Sequence, residues 1–163
     1  MIQVLNHQQV QKKVTRMAYE IYERNLKSEG VVIAGISGMG KILATLLVEK
    51  LKEISPLKIE EMEIILDKSN INSENVELSN EIDFSGKTAI LVDDVLNTGR
   101  TLVYALNPFL DTKVEKIEIA VLVNRSHGKY PLRPDYTGFE LSTTLNEHIL
   151  VDLSTSEYVV HLQ

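Results

Sequence analysis

Two adjacent carboxylates at the end of an apolar run, followed by hydroxyls around a glycine, form the most chemically loaded stretch of the chain: Ala89-Ile90-Leu91-Val92-Asp93-Asp94-Val95-Leu96-Asn97-Thr98-Gly99-Arg100-Thr101. Unpaired carboxylates are expensive to bury, so a pair ending a buried strand must face solvent or a ligand. The turn Asn97-Thr98-Gly99-Arg100-Thr101 opens a helix and offers backbone N–H groups, two hydroxyls and the positive end of the helix dipole, which suits a phosphate dianion. A glycine there lets the backbone approach the ligand closely. Asp93 and Asp94 would then bind ribose hydroxyls, directly or through Mg²⁺. The plainer alternative is a solvated acidic turn beside an ordinary helix cap. It leaves the combination of acids, threonines and glycine without a reason.

A second loop, Gly35-Ile36-Ser37-Gly38-Met39-Gly40-Lys41-Ile42, nearly spells the nucleotide-binding pattern G-x-x-x-x-G-K-[ST]. Ile42 stands where that pattern needs a metal-binding hydroxyl. A P-loop reading also gives no role to Thr98-Gly99-Arg100-Thr101. Lys41 is either a solvated helix lysine or a cation for an anionic ligand.

These two loops need elements that bring them together. Val31–Ala34, Ala89–Val92 and Ile117–Val123 are short apolar runs that read as buried strands, and Ile59–Leu66 is a plausible fourth. Val10, Val14, Met17, Ala18 and Ile21 recur at helical spacing, with Asn6 as an N-cap, and predict a helix ending near Gly30. Lys41–Lys52 and Arg100–Phe109 read as further helices, and Ile149–Leu153 and Tyr158–His161 as short strands. Strands alternating with helices imply a parallel sheet with right-handed crossovers. Ligands of such sheets sit beyond the carboxyl ends of the strands, where both loops emerge. Lys68–Ser79 is polar and long for a turn, which predicts a disordered segment or a mobile functional loop.

The 163 residues suit one domain. The absence of cysteine removes disulfides, thiolate metal sites and cysteine nucleophiles. No signal peptide or membrane-length apolar run is evident, so the expected setting is cytoplasmic, with no membrane partner. The formal net charge of −6 argues against a general nucleic-acid binder.

The Asp93–Thr101 stretch resembles, position by position, the signature with which type I phosphoribosyltransferases bind 5-phosphoribosyl 1-pyrophosphate (PRPP). Within that class the chain is most similar to the bifunctional pyrimidine operon attenuators and uracil phosphoribosyltransferases. Ala120–Gly138 looks like their "AVLVDRGHRELPIRADYIG", and Thr15–Asn25 like "TRIAHEMIERN". The likeness runs in order along nearly the whole chain and is weak only across Leu66–Asp83.

The resemblance implies an α/β phosphoribosyltransferase fold, with a central mostly parallel sheet flanked by helices, a flexible flap at Lys68–Ser79 and a small C-terminal hood. It assigns the ribose hydroxyls and Mg²⁺ to Asp93 and Asp94. The 5-phosphate falls to Asn97, Thr98, Gly99, Arg100 and Thr101, and the base side to Asn124, Arg125 and Ser126. The pyrophosphate falls to the loop containing Ser37, Gly38, Met39, Gly40 and Lys41. The implied reaction joins uracil and PRPP to give UMP and pyrophosphate, and the implied assembly is a homodimer.

Several departures bear on that reaction. The family's "GIKTRG" loop carries two cations that Ser37–Gly40 lacks. The flap arginine of "TLYRDD" has no counterpart in Ile64–Ser69. Asn97 replaces a tyrosine, and Asn124 replaces an aspartate. A catalytically weak nucleotide-sensing regulator therefore stands beside the enzyme. Binding of operon messenger RNA is the third reading. It would rest on Arg24, His127 and Arg133, with Tyr19 and Gly128 where a histidine and an arginine are expected, and Lys129 in partial compensation.

Overall fold

Residues that are apolar on both faces of a strand belong in the middle of a sheet. In the computed structural model, which describes residues 1–163, every residue of β2 (Val31–Ile36) is buried. β5 (Thr88–Leu96) and β6 (Lys116–Asn124) are also buried along most of their length. These three strands lie at the centre of a six-stranded sheet ordered β4-β3-β2-β5-β6-β7, completed by β3 (Ile59–Ile65), β4 (Glu77–Leu78) and β7 (Tyr136–Glu140). All neighbours are parallel except β4, which pairs antiparallel with β3.

Helices cover both faces, as parallel sheets require. On one side α1 (His7–Arg24) and α2 (Met39–Ile54) turn Val10, Met17, Ile21, Leu43, Leu47 and Leu51 onto Ile33, Ile90 and Leu122. On the other, the short helices α3 (Arg100–Ala105) and α4 (Asn107–Leu110) supply Leu102, Ala105 and Phe109 against Ala34, Leu91 and Val121. A separate antiparallel sheet, ordered β1-β9-β8, joins the amino terminus (β1, Ile2–Leu5) to the carboxyl end (β8, Ile149–Asp152; β9, Val159–Leu162). This is the hood, and its Val151, Leu153 and Val160 join the α1/α2 core. No helix is long and apolar enough to cross a membrane.

The architecture follows the expected alternation, with corrections in detail. Asn6 does cap α1, in a reciprocal capping box with Gln9 (2.8 and 2.9 Å). The helix stops at Arg24 rather than near Gly30, because Asn25 leaves helical geometry and its side chain bonds the Ile21 carbonyl (2.9 Å). The helix expected over Arg100–Phe109 is two short pieces around Leu106, with Pro108, which has no N–H to donate, in the first turn of the second. β5 does not end at Asp93-Asp94 but continues through them to Leu96. The Lys68–Ser79 segment is not structureless: Val76 is buried, Ser73–Asn75 makes a helical turn, and Ser79 exchanges two hydrogen bonds with Glu63 (2.8 and 3.0 Å).

At the amino edge of the sheet a buried polar cluster ties α1 to β6 and β7. The Tyr136 hydroxyl donates to Glu118 Oε1 (2.8 Å), which also receives Asn25 Nδ2 (3.1 Å). Burial and the Glu118 charge push the Tyr136 hydroxyl far above the ordinary tyrosine range, so it remains a donor at any working pH. Tyr136→Phe should cost about 1–3 kcal/mol, since a buried carboxylate oxygen loses a partner. Urea unfolding would measure that loss.

Candidate functional site

Both chemically loaded loops emerge at the carboxyl edge of the sheet. β2 and β5 are neighbours in register from Val31↔Thr88 to Gly35↔Val92. The turn after β2 and the acidic end of β5 are therefore adjacent by construction. α2 crosses directly over β5: a Cβ on Gly40 would stand 2.8 Å from the Val92 carbonyl oxygen and 3.1 Å from Asp93 Oδ1. Only glycine permits this approach, so Gly40 sets the distance between the two loops.

Asp93 is 2% exposed, and its side chain points into the site. Oδ1 accepts the Asp94 backbone N–H (2.9 Å), and Lys68 Nζ lies 3.0 Å from Oδ1 and 3.3 Å from Oδ2. The same ammonium stands 3.8 Å from Asp94 Oδ1. Burial and the Asp94 charge push Asp93 up to about 7, with Lys68 opposing them. Lys68 is held over the pair by a local turn, in which Asp67 Oδ1 accepts from the Ser69 N–H (2.9 Å) and hydroxyl (2.6 Å).

The turn that follows supplies donors. Gly99 has φ +91°, a left-handed conformation that glycine adopts without strain, and it starts α3. The Thr98 hydroxyl accepts the Arg100 N–H (3.2 Å). The Thr98 carbonyl accepts from Lys129 (2.9 Å) and Tyr130 (3.3 Å), so the next crossover braces the turn from outside. Lys68, Asp93, Asn97, Thr98, Gly99, Arg100 and Thr101 line one cavity of about 90 Å³. Larger grooves, of about 440 Å³ between α1 and α2 and about 630 Å³ beside Ile82–Ser85, lie away from both loops. This small cavity joins Asp93 to a turn of backbone donors.

The remaining expected residues are arranged more unevenly. Gly38, at φ +94°, caps α2 without a side-chain bond. Ser37 is engaged with β3, its hydroxyl 3.0 Å from Glu63 Oε2 and its N–H donating to the Ile64 carbonyl (3.0 Å). Lys41 Nζ stands 4.0 Å from Glu63 Oε1 and is half exposed. Met39 packs against the core, and its sulfur accepts the Leu153 N–H (3.4 Å). Asn124 Oδ1 accepts the Ser126 N–H (3.0 Å), in a turn that holds Ser126 at φ +60°. Arg125 is buried, with its guanidinium bonded to Thr143, Asn97, Thr144 and Glu147. Arg24 lies at the opposite, amino edge, where it stacks on the Tyr136 ring and faces Asp135 (3.8 Å). His127 bonds the Thr143 carbonyl (2.8 Å).

Two residues to which the sequence pattern assigns no role of their own in the site matter here. Lys68 is a lone lysine in a polar loop, and only the fold carries it to Asp93. Glu63 looks like one more acid on an edge-side strand, yet it gathers both Ser37 and Lys41. The Asp67-x-Ser69 turn pattern was the available signal for the first, and nothing in the pattern marks the second.

The chain matches the family model described as phosphoribosyl transferase domain over residues 2–157. It is 37% identical over 161 aligned residues to the bifunctional protein PyrR of Halalkalibacterium halodurans, covering 93% of this chain and 89% of that protein. The bifunctional protein PyrR of Bacillus cereus is also 37% identical, covering 94% of this chain and 91% of its own length. Among solved structures, the hypoxanthine phosphoribosyltransferase of Trypanosoma cruzi superposes with a TM-score of 0.79 at 13% identity, covering 98% and 95% of the two chains. A hypoxanthine-guanine phosphoribosyltransferase from Bacillus anthracis gives 0.71 at 21% identity, covering 86% and 82%. At such identities these two likenesses speak for the fold alone.

The Asp93 proton yields a stability test. Its folded-state value, about 7, lies above the ordinary 3.8. The folded chain therefore holds that proton more tightly, and the associated stability is lost as pH rises through neutrality. Asp93→Asn cannot titrate, so without divalent metal its melting temperature should gain on the parent's between about pH 4 and pH 8. The scale is roughly 2–4 °C for each kcal/mol. A difference independent of pH would contradict the burial argument.

Proposed function

Because the chain belongs to the phosphoribosyltransferase family, we propose that it transfers the ribose 5-phosphate unit of PRPP to a pyrimidine base, uracil in the simplest case. The carrying observation is the cavity in which Asp93, with Asp94 next to it in β5, meets the Asn97–Thr101 turn. In this reading the 5-phosphate rests on the backbone N–H groups and hydroxyls of Thr98–Thr101. Asp93 and Asp94 face the ribose hydroxyls, and the base lies toward Asn124 and Arg125. The bond from C1 to the pyrophosphate oxygen breaks and a bond from C1 to N1 of uracil forms. The N1 proton passes to solvent or to the departing pyrophosphate. Charge builds on the leaving group, so positioning and electrostatics carry the rate. No side chain needs to act as a nucleophile.

The acidic pair also suits Mg²⁺. Lys68 shows that a positive charge is at home between these carboxylates. No group of three or more acidic, histidine or cysteine side chains is placed so that it could hold a metal ion by itself. Asp93 and Asp94 would thus hold the ion with substrate oxygens completing its shell, as Mg²⁺ commonly accepts. When bound, it supplies positive charge to the pyrophosphate. Lys68 has to withdraw for this, which is the natural task of a flap. The same reading takes residues 1–163 as one domain and a homodimer in the cytoplasm as the working form.

One observation favours a second reading, a nucleotide-sensing regulator with weak catalysis. The loop at Ser37–Gly40 carries no cation, and its neighbour Lys41 lies 4.0 Å from the Glu63 carboxylate. Incubation with Mg²⁺, PRPP and radiolabelled uracil separates the two. Formation of UMP, reduced at least about 10²-fold in Asp94→Asn, supports transfer. Tight UMP binding without turnover supports the sensor. Lys68→Ala tests the metal site apart from activity. Its lysine is partly exposed, so Mn²⁺ binding followed by electron paramagnetic resonance should tighten about two- to fivefold.

A further inference from the structure

Leu96 pairs with Asn124 at the ends of β5 and β6, so the next residues of each strand, Asn97 and Arg125, leave the sheet side by side. Arg125 is 7% exposed. Its NH1 donates to Asn97 Oδ1 (3.0 Å), in the phosphate turn. Its other donors go to the hood loop: Nε to Thr143 Oγ1 (2.7 Å), and NH2 to the Thr144 (3.0 Å) and Glu147 (2.7 Å) carbonyls. One planar, permanently charged group thus bridges two loops about fifty residues apart in sequence, in a fork geometry that lysine cannot reproduce. Asn97 is itself exposed and has no second partner to hold it.

We propose that Arg125 is a positioning residue that couples the 5-phosphate turn to the hood loop Thr143–Glu147, so that filling the phosphate site orders the wall facing the base. The inference rests on the assignment of Asn97–Thr101 to the 5-phosphate. Asn97 is a departure from the family pattern, so the coupling through its amide oxygen is a property of this chain. Arg125 therefore acts through other residues rather than on the base. Selection for the base would be gated by the sugar phosphate: the hood closes properly only once the turn beneath Asn97 is occupied.

Hydrogen exchange of the Thr143–Glu147 amides tests this, with ribose 5-phosphate as the probe because it carries no base to touch the hood. Calorimetry establishes binding in parallel. In the parent protein, ribose 5-phosphate should slow exchange in the hood about tenfold, within the usual range of coupling between sites. Asn97→Ala keeps the hood bonds of Arg125, and Thr143→Val keeps the turn. Thr143→Val should still bind the probe, and each variant, read at a ribose 5-phosphate concentration that calorimetry shows to saturate it, should lose most of the hood response. Full hood protection in Asn97→Ala would overturn the coupling, as would an unresponsive hood in a parent protein that binds the probe. If calorimetry finds no binding to the parent at all, the phosphate-site assignment itself falls, and the coupling with it.

Discussion

Burying a carboxylate costs several kcal/mol unless positive charge or hydrogen-bond donors face it, and the ligand edge of this protein is organised around that cost at Asp93. β5 is buried on both faces up to Asp93, so the chain cannot turn the group to water without breaking the central sheet. Gly40 then brings α2 against the same atoms. What satisfies Asp93 is the Asp94 N–H and the Lys68 ammonium. A lysine from a loop is a reversible partner, whereas a buried arginine pair would not be. On the proposed reading, a divalent ion and a sugar relieve that cost, and the destabilised group serves as a binding device.

The surrounding architecture repeats this division between fixed and yielding parts. The sheet, α1 and α2 form a continuous apolar core. The buried Tyr136–Glu118–Asn25 cluster closes its far edge, where no ligand is needed. Arg16 seals part of the β7 edge by donating to the Gly138 carbonyl (2.7 Å), which protects an edge strand from pairing with other chains. The ligand edge is instead built from turns: Asp67–Ser69, Asn97–Thr101 and Asn124–Ser126. Each is shaped by a side chain bonding its own backbone. Such turns hold donors in place without burying them.

Most of the fold was legible because buried parallel strands write themselves as apolar runs bounded by glycine or acids. The place of Asp93–Thr101 at the carboxyl edge of the sheet was legible for the same reason, since charged and polar residues closing such a run mark where the chain leaves the core. Three edge strands escaped notice. β4 is two residues long, and β7, Tyr-Thr-Gly-Phe-Glu, lacks an apolar run. β1 exists only because the carboxyl-terminal β9 returns to pair with it, a long-range match that no local pattern announces. Lys68, Glu63 and the bridging role of Arg125 were hidden for the same physical reason. A charged side chain in a loop looks solvated until the tertiary structure says which opposite charge or carbonyl it meets.

On the proposed reading, Asn97–Thr101 and the acidic pair form one nucleotide site. Its most direct test is a titration of the isotope-labelled protein with UMP, following assigned backbone amide resonances. The largest shifts should fall on Thr98, Gly99, Arg100 and Thr101, with Asp94 among the next. Shifts centred on the groove between α1 and α2, or saturable binding that leaves those four amides unmoved, would contradict it.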